Sequence, residues 1–297
     1  MAVTPPANAF VAVARKVYNP VGFTKGYNFV LFFIFAGAMT GFSLARLQYL
    51  ALDRSCESGG SESPLDCYYY TEGSLDRAGI IIHLAGILPA ALLACVQFVP
   101  VIRRTFVLFH RINGYLVILL SLVSTAGAFM LARHAVGGWM DVQIGVGVLS
   151  IAFVLSLGLA WYNVKRLQIE QHRAWMLRAW FYHPDCEAYF SHQDPNKAVL
   201  VSATMDGNGS NATAILSMNF GAAFWLAFTL HAVGVEIYLR LTPAEANRLR
   251  NVSYQRQLEA GMKIPGRAGL TADRIGDSAR WEPENVQDSP ESTEAEK

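Results

Sequence analysis

The sequence predicts an all-α, multi-pass transmembrane helix bundle with five recognisable spans. Two observations predict it. The chain of 297 residues is 53% hydrophobic and only 16% charged, where soluble domains carry roughly 25%. Its charges are also unevenly placed and leave five long charge-free runs. A helix needs ~20 apolar residues to cross the hydrocarbon.

The runs are Gly26–Ala45 (20 residues), Ala78–Ile102 (25), Ile112–Ala132 (21), Val142–Val164 (23) and Gly207–Val235 (29). They place spans at about 26–50, 78–102, 112–132, 142–164 and 212–239, within a helical membrane domain over 26–240. Residues 1–25 hold no apolar core of signal-peptide length, so the first span is expected to stay as an anchor. Lys+Arg number 24 against 23 Asp+Glu, and this balance excludes a basic nucleic-acid binder. The expected partner is the lipid bilayer.

Lys/Arg bias assigns sides. Residues 1–27 carry Arg15, Lys16 and Lys25 and no acid, so the N-terminus is expected to be cytoplasmic. Residues 53–77 carry six acids and two Arg and are expected outside. The loop with Arg103, Arg104 and Arg111 returns to the cytoplasmic side. The short loop from Arg133 to Asp141 is neutral and fits an outside position. Residues 165–178 then read cytoplasmic again. The count conflicts with itself after Arg178, because residues 240–267 also read cytoplasmic and only one span separates the two. Charge bias therefore favours a sixth span that is missing or truncated near 179–195. The alternative is a true five-span chain with its C-terminus outside. The expected location is a secretory-pathway or plasma membrane.

Cys56 and Cys67 share the first outside loop, where an oxidising lumen would permit a disulfide. Cys95 lies in a span and is expected to pack as a small apolar residue. Asn208 and Asn211 open N-glycosylation sequons. Thr242-Pro-Ala-Glu245 is a helix-start signature. It begins a basic juxtamembrane segment, 241–267, expected to be helical to Gly261 and suited to anionic lipid. Residues 268–297 form an acidic tail with the composition of a disordered segment.

Ionisable residues inside spans are costly and are default functional candidates. They are His83 in the second span and His231 with Glu236 in the last. His110 and His172 stand at the cytoplasmic mouths. Neutral imidazole is an axial ligand for haem iron, so a single b-type haem held by two of His110, His172 and His231 is one reading, with His83 as a further candidate. A two-haem stack does not fit. His83 to His110 is 27 positions and His110 to His134 is 24, and 24 helical residues rise ~36 Å. The other reading of these histidines is structural, each satisfied by a neighbouring helix. Glu236 stands one turn before Arg240 and is expected to pair with it or reach the interface. Gly37-Ala-Met-Thr-Gly41 is a GxxxG sequence, expected to pack within the molecule. Pro89 is expected to kink or curve the second span. Hydrolase, kinase and dehydrogenase motifs are absent.

Two further runs carry a resemblance. Phe109-His-Arg-Ile-Asn-Gly-Tyr115 opens the third span, and His172-Arg-Ala-Trp-Met-Leu-Arg178 follows the fourth. Together they resemble the membrane family called domain of unknown function 2306. Leu230-His-Ala-Val-Gly-Val-Glu-Ile-Tyr-Leu-Arg-Leu-Thr-Pro-Ala-Glu245 and Leu270-Thr-Ala-Asp-Arg274 resemble its filamentous-fungal branch. Family members usually carry another apolar span directly after the Trp-Met motif, where this chain has His183-Pro-Asp-Cys-Glu. The resemblance implies architecture and marks His83, His110, His172 and His231 as family-type positions. It implies no activity. Three functions therefore stand open: a single-haem or redox-linked membrane protein, a proton-coupled small-molecule transporter using His231 and Glu236, and a non-catalytic accessory or scaffold protein.

Overall fold

A computed structural model describes residues 8–50, 74–134, 140–182 and 209–266, and residue 283. Among the described residues every regular element is helical: α1 (Ala9–Tyr18), α2 (Gly26–Arg46, continued by a 3-10 turn over Leu47–Leu50), α3 (Ser74–Gln97), α4 (Pro100–Thr105), α5 (Val107–Leu131), α6 (Met140–Lys165), α7 (Ile169–Tyr182), α8 (Gly209–Leu241) and α9 (Pro243–Glu259). Among the described residues five stretches are long and apolar enough to span a membrane: Gly26–Leu50, Leu75–Gln97, Val107–Leu131, Met140–Lys165 and Gly221–Leu241. The all-α, five-span architecture is thus present. Cys56, Cys67, Asn208 and most of the 179–195 stretch lie outside the described residues, and so does the acidic tail apart from residue 283. Asn211 falls in α8, where its side chain is not described.

The chain divides into two compact units, residues 1–148 with 185–225, and residues 149–184 with 226–297. In the first, α3 lies against α5 through small residues. Ala90 and Ala94 are fully buried on α3. A Cβ on Gly127 would stand 2.6 Å from the His83 amide nitrogen and 2.7 Å from the Gly79 carbonyl oxygen. One on Gly86 would stand 2.8 Å from the Leu120 carbonyl oxygen. Without driving force from water, membrane helices gain contact by letting backbones approach in this way.

The GxxxG sequence does not do this. Among the described residues nothing comes within 4 Å of a Cβ placed on Gly37 or Gly41. The neighbouring stripe of α2 is used instead. Cys95 of α3 meets the Ala36 carbonyl and the Thr40 hydroxyl, each at 3.8 Å. Cys95 is a free thiol packed in a span, as a small residue should be.

The second span is also shorter at its C-terminal end than its charge-free run. Helix α3 ends at Gln97, and Pro100 begins the separate α4 after an extended Val99. Proline has no N–H to donate and holds the residue before it out of the helical region. Pro89, by contrast, sits inside an unbroken α3 on an exposed face.

In the second unit, Leu167 adopts φ 58° in the turn between α6 and α7, and the Gln168 amide closes that turn on the Asn163 carbonyl at 2.9 Å. Helix α9 joins α7 through polar contacts. The Ser253 hydroxyl donates to Glu170 and accepts from the Ile169 amide at 2.8 Å. Gln257 donates to the Arg166 carbonyl at 3.2 Å. Thr242 does not cap α9. Its hydroxyl turns back to the Tyr238 carbonyl at 2.9 Å, while Glu245 pairs with Arg248 at 2.7 Å. Pro243 at the first helical position still sets where α9 starts. Helix α9 stops at Glu259, and Gly261, at φ 66°, turns the chain out of it.

Candidate functional site

Most of the polar groups singled out in the sequence meet at α7, in the second unit. Helix α7 carries His172-Arg-Ala-Trp-Met-Leu-Arg178, and each ionisable residue of that run has its own task. His172 Nδ1 lies 2.9 Å from the Ala160 carbonyl of α6. Arg173 donates to the Tyr238 hydroxyl at 3.3 Å and lies over its ring. Arg178 grips Glu236 with two N–H groups, at 2.6 and 3.0 Å. Beneath Arg178 lies the Trp175 ring, 4.7 Å from centroid to guanidinium carbon. Further along, the Phe181 and Tyr182 rings meet His231 and Phe228 of α8 edge-on. Contacts that rise in number on α7 fall on α8, so the two helices run antiparallel.

The hydrogen-bonding partner of Glu236 is therefore Arg178, 58 positions away, and the Arg240 charge acts on it only secondarily. Two parallel N–H···O bonds match the planar guanidinium to the planar carboxylate. The pair raises the pKa of Arg178 first through that hydrogen bond. Glu236 keeps 43% of its side-chain surface exposed and Arg178 21%. Tyr182, beside them, has its phenol pKa raised by burial and then by the Glu236 charge. His172 shifts the other way. Crowding lowers its pKa, and the Ala160 carbonyl offsets this only in part.

The histidines are divided between the two units and each has its own contacts. His83 and Ser124 bind each other across α3 and α5: His83 Nδ1 is 3.0 Å from the Ser124 carbonyl, and the Ser124 hydroxyl donates to the His83 carbonyl at 3.0 Å. His110 lies in the first unit, where its carbonyl accepts from Gln97 at 2.9 Å. His172 and His231 lie in the second. They meet α6 and Phe181 respectively, and His172 and Phe181 are nine positions apart on α7. Nine helical residues rise ~13 Å, so these two rings sit at different levels of α7. His134, at the far end of α5, lies 3.1 Å from both carboxylate oxygens of Asp76. Among the described residues no three His, Cys, Asp or Glu side chains group as a metal site.

The second motif braces α3. Asn113 is buried and donates to the Leu93 carbonyl at 3.1 Å. Gly114 faces Gln97, whose amide stands 3.5 Å from where a Cβ would be. Both motifs thus hold helix ends to their neighbours. They lie in one continuous stretch, and that stretch matches a family model. Residues 80–192 match the family described as "Predicted membrane protein (DUF2306)". No curated protein and no solved structure matches the chain. The matched segment takes in most of α3 and all of α4 to α7. Arg178 lies inside it, whereas His231 and Glu236 lie beyond its end.

Two contacts were not foreseeable from the sequence. The Ser253–Glu170 link and the Gly79–Gly127 approach join residues far apart in the chain. The only local signal was two small residues seven positions apart on α3, Gly79 and Gly86.

Proposed function

We propose that this protein is a proton-coupled membrane carrier for a small solute, with Glu236 as its proton-carrying acid and Arg178 as the counter-charge. One observation carries the reading: an acid in a candidate span is held by an arginine from a different helix. Charged groups at membrane depth are expensive and mark ion and substrate paths. Ionised Glu236 ties α8 to α7. Proton uptake at Glu236 removes one charge of the pair and leaves the guanidinium open to an anionic group of the solute. The planar fork of arginine suits a carboxylate there.

The test uses proteoliposomes holding the full chain. They are placed in a mixed small-molecule extract under an inward proton gradient, and their contents are read by mass spectrometry. At least one solute should accumulate with the wild type and not with Glu236→Gln at equal folded protein. No difference between wild-type and empty vesicles overturns the reading.

A redox reading is favoured by a different observation. The carbonyls of Ala160 and Phe181 can only accept, so His172 and His231 each donate one ring N–H and keep a lone pair on the other nitrogen. Metal-binding histidines are oriented in the same way. A haem would be held through one of the two rings, since they sit at different levels. An absorption spectrum of the purified protein decides this: a Soret band that His172→Ala or His231→Ala removes supports it, and a featureless spectrum sinks it.

A further inference from the structure

We infer that α1 and the α4 end of the first unit together form a platform that binds anionic phospholipid headgroups at the surface of the protein's own membrane. The inference rests on a patch that the fold assembles from two distant stretches. Residues 8–27 contain Arg15, Lys16 and Lys25; residues 98–112 contain Arg103, Arg104 and Arg111. Neither stretch contains an acid. Two hydrogen bonds fasten them together: the Val101 amide donates to the Val21 carbonyl at 3.1 Å, and Arg104 donates to the Gly22 carbonyl at 3.3 Å. Gly22 has φ 94°, and a Cβ there would stand 2.8 Å from the Val101 amide nitrogen. Only glycine allows so close a clamp at that angle. Lys16, Lys25, Arg104 and Arg111 are exposed.

Helix α1 supplies the apolar half of the platform. Asn8 caps it by accepting from the Val11 amide at 2.9 Å. Tyr18 is buried and its ring meets Phe29 of α2 at 6.2 Å. On another face Phe10, Val13 and Val17 are 80%, 62% and 58% exposed. Positions 10, 13 and 17 fall on one helical stripe, and exposed Lys16 flanks it. The stripe cannot travel far from the bilayer, because only seven residues separate Tyr18 from Gly26, where the first span begins. A helix with an apolar stripe, basic flanks and a tether at the membrane surface lies in the interface plane. Continuity with the span and six cations in two stretches that contain no acid select anionic lipid over a protein partner.

The test is electron spin resonance on the full chain in phosphatidylcholine bilayers. It compares how much spin-labelled phosphatidylserine and spin-labelled phosphatidylcholine the protein immobilises. The wild type should hold phosphatidylserine several-fold better and lose that preference in high salt. The variant R15Q/K16Q/R103Q/R104Q should lose it at low salt, and R248Q/R250Q/R256Q in α9 should keep it. Hydrogen exchange on the wild type is the second measurement and needs no variant: amides 9–18 should exchange more slowly when phosphatidylserine is added. The inference is overturned by equal immobilisation of the two lipids, by a preference that survives the first variant or is lost in the second, or by unchanged exchange over 9–18.

Discussion

Arg178 and Glu236 stand 58 positions apart in the chain and meet through two hydrogen bonds of 2.6 and 3.0 Å. The contact makes one ionic tie between α7 and the last span. Trp175 under the guanidinium keeps the fork in place, and stacking of this kind adds to the ion pair.

A double-mutant cycle on Arg178→Ala and Glu236→Ala should give a coupling energy of about 1–2 kcal/mol. Fully buried pairs cost 3–5 kcal/mol to break, exposed ones under 1, and this pair lies between. The charge swap R178E/E236R should recover part of the stability lost by either single reversal. Unfolding midpoints in detergent measure both. Strict additivity of the single changes would remove the tie from the account.

Small residues decide the α3–α5 contact. Gly127→Ala places its Cβ 2.6 Å from the His83 backbone nitrogen, a distance that a flexible side chain could relieve but a helix backbone cannot. Overpacking of this kind costs about 1–3 kcal/mol. Gly37→Ala and Gly41→Ala meet nothing within 4 Å among the described residues and should be neutral or slightly stabilising, since alanine is the better helix former. Thermal midpoints of the three variants should separate them cleanly. Equal losses at Gly37 and Gly127 would place the close approach on the wrong helix.

Those glycines also show what could be read ahead of the structure. Charge-free runs reveal spans because hydrocarbon excludes charge at every position, which is a local property. His172 and Arg178 stood out for the same reason, as polar residues beside apolar runs. Which groups they touch is a tertiary fact. Glu236 looked paired with Arg240 because positions four apart are neighbours on any helix, yet a bidentate partner arrived from α7. Gly37 and Gly41 satisfied a motif that states how close helices can come, not which face is used. The end of α3 differs from the end of the charge-free run because such a run records composition, while Pro100 ends the helix inside it.

Ser253 should matter more than a serine on a basic, polar helix suggests. It is 3% exposed, accepts from the Ile169 amide and donates to Glu170. Ser253→Ala takes the acceptor from the part-buried Ile169 amide and one donor from the buried Glu170 carboxylate. Losing a hydrogen-bond partner in a buried setting costs about 1–3 kcal/mol. The loss should appear first as faster hydrogen exchange over α9 and the start of α7. Unchanged exchange there would show that α9 is held by its other contacts alone.

His172 should make the protein sensitive to mild acid. Its folded pKa lies below the ordinary value of 6.5, chiefly because burial disfavours the charged ring. Above pH 6.5 the ring is neutral in both folded and unfolded chains and contributes nothing to the slope. Below 6.5 the unfolded chain takes up a proton that the folded chain refuses. Stability therefore falls as pH drops from 6.5 toward the folded pKa, by up to about 1.4 kcal/mol per pH unit for one proton. Under that pKa both states are protonated and the slope ends. His172→Asn keeps a donor for the Ala160 carbonyl and cannot titrate. Its unfolding midpoint should thus fall less than that of the wild type between pH 7.5 and 5.5. Parallel midpoints over that range would assign the acid sensitivity to another group.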